Sequence, residues 1–185
     1  MDCIVLLKTD HARLEQFFAC VDEGDTSVVL EMCASLESHV LVEGAVFYPA
    51  VMDEVDGAAS QVSASLEELE QIRALIQETL ALRAIHDDDL TKARDLVALV
   101  REHVLDEESE LFPLVGATLS EHRRTELGGA MASLRQEDGE VDRGASSDGD
   151  SSWTDDAYLA SVVDANVDRS VDAAMRRSQG RPPDD

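Results

Sequence analysis

Two thirteen-residue segments, HVLVEGAVFYPAV (39–51) and HVLDEESELFPLV (103–115), align without a gap, and each places a histidine and a glutamate four residues apart among apolar neighbours. Four residues is just over one helical turn. His39 with Glu43, and His103 with Glu107, therefore each present an imidazole and a carboxylate on one helix face. The rest of those faces is apolar: Val29, Met32, Leu36, Val46 and Ala50 around the first pair, Leu96, Val100, Leu111 and Leu114 around the second. A chain that must bury such faces and still satisfy the polar groups within them is confined to helices packed around a shared interior. Two similar core helices would explain the apolar matches, but not the repeated His and Glu.

The remaining sequence supplies the partner helices. Leu7, His11, Leu14, Phe18 and Val21 form one stripe ending near Gly24, after which Asp25 and Thr26 offer caps for the next helix. Gly57 and Ser60 precede another stripe of Val62, Leu66, Leu69, Ile72, Ile76 and Leu80, and His86 to Asp89 reads as a turn into the helix that carries His103. Pro49 and Pro113 should kink or end their helices, because proline cannot continue the hydrogen-bond ladder. Aromatics at 4% and long Ala/Leu/Glu-rich stretches favour helix over strand. Short connections between long helices predict an all-α, antiparallel up-down four-helix bundle over residues 1–135, with a short fifth helix from about Ser120 packing outside it.

Beyond that point the composition changes. Residues 136–153 are small, polar and acidic, which predicts a flexible linker. Over 154–178, Leu159, Val163, Val167, Val171 and Met175 recur every fourth residue. That stripe suits an amphipathic helix docking on a protein partner or on the bundle, the alternative being a solvated tail. Residues 179–185 read as a disordered tail.

A formal net charge of −25, from 40 acidic against 15 basic residues, repels nucleic acid and anionic membrane, and both are discounted as partners. An acidic, lysine-poor surface also suits concentrated salt. Three cysteines, Cys3, Cys20 and Cys33, with no signal-peptide pattern, predict a soluble cytoplasmic protein with free thiols rather than a disulfide framework.

His11, His39, Glu43, His103 and Glu107 all lie on otherwise apolar stripes. A single core histidine is usually a hydrogen-bonded structural residue, but three histidines and two carboxylates on three stripes converge most economically on a metal. Imidazole with carboxylate suits iron, manganese or zinc, and no thiolate set competes. His86, in the turn, and His122, on the outer helix, read as surface residues.

LLKTDHARLEQFF, HVLVEGAVFYPAV and HVLDEESELFP together resemble the segments that define the hemerythrin-like HHE cation-binding family, over about residues 4–134. The resemblance implies a non-haem di-iron centre bridged by Glu43 and Glu107, with His11 and His39 on one iron and His103 on the other. It also implies small ligands such as oxygen, nitric oxide or peroxide, in a carrier, a sensor of iron or redox state, or a peroxide- or nitric-oxide-consuming enzyme. This chain departs from the family at Leu69, where a histidine is expected, and at Gly44, where many relatives carry a second acid. The second iron then either binds with water, Glu68 or Glu70 filling the gap, or leaves a mono-iron site, or the centre is a metal-free structural bundle. For an enzyme, the vacancy beside Leu69 would be where an exogenous ligand enters.

Overall fold

The computed structural model of the chain describes residues 1–81 and 90–145, of which 138–145 are described by backbone alone. It is helical throughout, with no strand among the described residues: α1 (Cys3–Asp22), α2 (Val29–Val42), α3 (Tyr48–Glu54), α4 (Ala59–Leu80), α5 (Leu90–Asp106), α6 (Phe112–Thr118) and α7 (Glu121–Ala145). Met1–Glu140 form one compact unit, to which all the packing described below belongs. The turn at His86 and the segments 146–153, 154–178 and 179–185 lie outside the described residues. None of the described helices is long and apolar enough to cross a membrane.

α1, α2, α4 and α5 each pack on two of the other three. α1 packs on α2 and α5, and α4 packs on the same two from the other side, so the four stripes close on one core. Leu7, Leu14, Phe18, Met32, Leu36, Leu69, Ile72, Ile76 and Leu96 are all almost fully buried there, each contributing about 1.5–3 kcal/mol of apolar transfer. The Asp2 carboxylate caps α1 by accepting from the Ile4 N–H at 2.9 Å. Asp25 and Thr26 do not cap α2, which starts without a side-chain cap. Asp25 instead accepts from the Ser27 N–H and hydroxyl and shapes the turn itself.

Neither proline ends its helix. Between α2 and α3, and again between α5 and α6, the chain makes one wide π-helical turn, Glu43–Phe47 and Glu107–Leu111. The Tyr48 N–H returns to the Glu43 carbonyl and the Phe112 N–H to that of Glu107, five residues back in each case. Pro49 and Pro113 follow at once, in the first turn of α3 and α6, where a missing N–H costs least. The extra residue corrects the inner stripe. Phe47, Tyr48 and Val51 are buried where the α-helical spacing pointed to Val46 and Ala50, and Phe112 and Val115 take the place of Leu114.

α7 also differs from expectation. It runs to Ala145, ten residues into the stretch read as linker, and it does not stand apart from the core, since Leu127 and Met131 are buried in it. Gly128 permits this, because a Cβ there would lie 2.1 Å from the Met1 carbonyl oxygen at the start of α1. Arg124 pins the contact by donating to Asp2 and to the carbonyls of Gly116 and Leu119.

Candidate metal centre

The two π-turns begin at Glu43 and Glu107, so each wide turn opens at a carboxylate aimed into the core. α1 brings His11 and α2 brings His39 against them. The four residues are buried, and one ligand-type atom from each lies within 4.8 Å of every other. The His39 Nε2 is 3.0 Å from a Glu43 oxygen and the His11 Nε2 is 3.3 Å from Glu107 Oε2. The two imidazoles meet edge to face at 5.0 Å.

Outside this group a carboxylate faces the other nitrogen of each of the two imidazoles. The His11 Nδ1 lies 2.8 Å from Glu108 Oε1, and the His39 Nδ1 faces Asp10 Oδ2 at 3.5 Å. A carboxylate only accepts, so it favours the tautomer with the proton on Nδ1 and leaves Nε2 turned inward with a lone pair. Asp10 is in turn clasped by Arg135 of α7. Phe112 stacks on His11 at 5.7 Å, and Phe47 meets Phe112 edge-on, giving the group a dry wall.

Within the group the hydrogen bonds run out. His11 Nε2, His39 Nε2, Glu43 Oε1 and Glu107 Oε2 are all buried without a hydrogen-bond partner. Buried polar atoms left this way are costly, and two nitrogens with two carboxylate oxygens form a donor set for one divalent or trivalent ion. Charge points the same way. Burial disfavours a charged His39, but the Glu43 carboxylate against it, with Asp10 and Glu107, outweighs burial and pushes the imidazole up to about 10. Burial would also raise Glu43, but His39 and His103 hold it well below the usual carboxylate range. Glu107 is raised, by burial and by the Glu43 charge beside it. Two carboxylates so close need a cation between them, and a metal ion would displace the proton from His39.

His103 is buried beside this group but stands apart from the four. Its Nε2 lies 3.7 Å from Glu43 Oε2 and 4.0 Å from Glu107 Oε2. A nearer neighbour is the Tyr48 hydroxyl, at 3.2 Å. That hydroxyl donates to Glu107 Oε1 at 2.8 Å, and burial together with the two carboxylates raises the phenol so that it keeps its proton. The His103 Nδ1 is 2.8 Å from Glu68 Oε2. Burial opposes charge on His103, but Glu43, Glu107 and Glu68 outweigh it and push the imidazole up to about 9.

The structure bears on several sequence expectations. Glu68 does not fill a gap among the ligands, because it holds the outer nitrogen of His103, and Glu70 is exposed. The place beside Leu69 is no vacancy. The leucine is fully buried and sits 3.7 Å from where a Gly44 Cβ would be. Cys3 and Cys33 are buried thiols pushed up by burial to about 11 and about 12, outside the metal group. His122 is exposed and pairs with Glu126.

Asp10, Tyr48, Glu108 and Arg73 went unnoticed as parts of the centre. Tyr48 carried a signal, as the aromatic before each repeated proline. Asp10 and Glu108 sit one position from a predicted ligand and Arg73 one turn from Leu69, on faces that read as solvated.

No curated protein and no solved structure matches the chain. The family model of the hemerythrin HHE cation binding domain matches residues 3–115, well over half of it. The three helical segments that build the four-residue group fall inside that match, and the chain belongs to the hemerythrin HHE cation-binding domain family.

Proposed function

We propose that this protein holds an iron ion among His11, His39, Glu43 and Glu107 and uses it to bind or sense a small ligand such as oxygen or nitric oxide, or the supply of iron itself. The observation that carries the reading is the convergence of four buried, unpartnered ligand atoms from three helical segments. An iron ion in such a set would supply reversible ligand binding or one-electron chemistry. The residues do the rest. Glu108 and Asp10 orient the imidazoles, Tyr48 holds the second oxygen of Glu107 so that the first faces inward, and Phe47 and Phe112 exclude water. α1, α2, α4 and α5 would alternate in direction, as in an up-down bundle, and the three thiols suit a cytoplasmic setting. The stripe at 154–178 is the segment we assign to a protein partner.

Full-length protein stripped with chelator and reloaded anaerobically with Fe(II) tests this. A ligand present at about a thousand times its Kd stabilises by about 4 kcal/mol, so loading should raise the melting temperature by many degrees and His39→Ala should abolish the rise. Apoprotein as stable as loaded protein would overturn the reading. Spectral changes on adding oxygen or nitric oxide, without turnover of peroxide, would separate a binding protein from an enzyme.

A further inference from the structure

We propose that the His103 side of the centre is closed to metal by its own side chains, so that the chain binds one ion where the family resemblance implies two. The inference rests on the four-residue reading and concerns what stands on its other side. Both carboxylates divide their oxygens: Glu43 Oε1 and Glu107 Oε2 face His39 and His11, while Glu43 Oε2 and Glu107 Oε1 face His103 and Tyr48. A second ion would have to sit among His103 Nε2 and these outer oxygens, of which Glu43 Oε2 has no hydrogen-bond partner of its own. Three features stand there instead.

The Tyr48 hydroxyl lies 2.8 Å from Glu107 Oε1 and 3.2 Å from His103 Nε2. It occupies the space between the carboxylate and the imidazole that an ion would bridge. Its proton goes to Glu107, so the hydroxyl is tied between the two groups and would have to be moved aside before an ion could bridge them.

Leu69 and Gly44 together replace a second pair. On the metal side, the His11 ring of α1 donates from Nδ1 to Glu108, the residue after Glu107. On the other side, α4 offers Leu69 against Gly44, the residue after Glu43. The ligand and the acid that would orient it are missing as a unit.

Arg73, one turn beyond Leu69, fills the space this leaves. Its Nη2 donates to the Val40 carbonyl at 3.1 Å, at the entry to the π-turn. A Cβ on Gly44 would come within 3.0 Å of that nitrogen. An acid at position 44 and the guanidinium cannot keep their present places together. Arg73 brings a fixed positive charge to the carboxylate side from which a second cation would be held.

Anaerobic titration of full-length apoprotein with Fe(II) decides the matter, read as ions bound per chain and checked by circular dichroism for retained helix. Wild type should saturate at one. Leu69→His should also saturate at one, because restoring the imidazole leaves Tyr48 and Arg73 in place. The combination Leu69→His, Gly44→Glu, Tyr48→Phe and Arg73→Ala should move the endpoint to two, and Tyr48→Phe alone should keep it at one. Two ions in wild type or in Leu69→His would overturn the closure while leaving the four-residue site standing. An endpoint of one in a folded combined variant would overturn the assignment of closure to these residues. No binding in wild type would sink the four-residue reading and this inference with it.

Discussion

The two sides of the buried centre follow the same plan with different parts. On one side α1 supplies His11, preceded by Asp10, which faces the Nδ1 of His39. On the other α4 supplies Leu69, preceded by Glu68, which holds the Nδ1 of His103. Each side takes a carboxylate from the start of a π-turn, and each has an aromatic ring five residues further on, Phe112 over His11 and Tyr48 beside His103. The outer acids are kept on both sides. The inner positions diverge: His11 and Glu108 against Leu69 and Gly44, and an apolar ring against a phenol. One side gathers four unpartnered ligand atoms, whereas the other carries a chain of hydrogen bonds from Glu107 through Tyr48 and His103 to Glu68 and leaves only Glu43 Oε2 unpartnered. The same helical frame can therefore present an ion site or a hydrogen-bonded wall, depending on the side chains at a few inward positions.

The largest break in this comparison comes from making the metal side resemble the other. His11→Leu removes one of four ligand atoms and leaves Glu108 without its imidazole. Loss of an outer partner alone weakens a metal site about 10–100-fold, so loss of a ligand should weaken Fe(II) binding by more than about 100-fold in titration. The metal-free variant should melt within a few degrees of metal-free wild type, because an apolar side chain of similar size replaces a buried imidazole beside Phe112. Retained tight binding would mean that the ion sits elsewhere.

A smaller effect sharpens the contrast. Glu108→Ala and Glu68→Ala each remove a carboxylate that holds a histidine Nδ1 at 2.8 Å. Only the first histidine is a member of the four-residue group. Glu108→Ala should weaken Fe(II) binding by about 10-fold or more, and Glu68→Ala should change it by less than about 3-fold, since no ligand is reoriented. Equal losses in the two variants would place His103 among the ligands after all.

How much of this was legible beforehand follows from the geometry involved. The His–Glu pairs lie within single helices, where spacing alone fixes the shared face, and His39 with Glu43 and His103 with Glu107 were readable for that reason. That His11 joins the first pair while His103 stands aside depends on how α1, α4 and α5 are placed around the carboxylates, which no single-helix period encodes. The π-turns escaped because each shifts the inner face by one residue. A regular period selects Val46 and Ala50, whereas Tyr48 is the side chain that reaches Glu107. The prolines announced a disturbance without revealing its form. Length was misread in α7, where the small, polar and acidic composition after Gln136 argued for a linker although the helix runs on to Ala145, and its packing was misread because the demand at Gly128 comes from contact with Met1, just before α1.

The smallest expected effect tests the closed side at its tightest point. Gly44→Ala adds a methyl group 3.0 Å from the Arg73 Nη2, the end of a flexible side chain that can withdraw. Withdrawal would lengthen or break its hydrogen bond to the Val40 carbonyl, a loss of about 0.5–1.5 kcal/mol. Against that, alanine is favoured over glycine in a helix by about 1 kcal/mol. The two nearly cancel, so denaturant unfolding should differ from wild type by less than about 1 kcal/mol, and the number of ions bound should not change. In an Arg73→Ala background the steric cost disappears and only the helical gain remains, so the same Gly44→Ala change should then stabilise by about 1 kcal/mol. The double-mutant cycle reads the coupling directly. A coupling near zero would mean that Arg73 does not hold the space beside Gly44, and would leave the glycine without a structural reason.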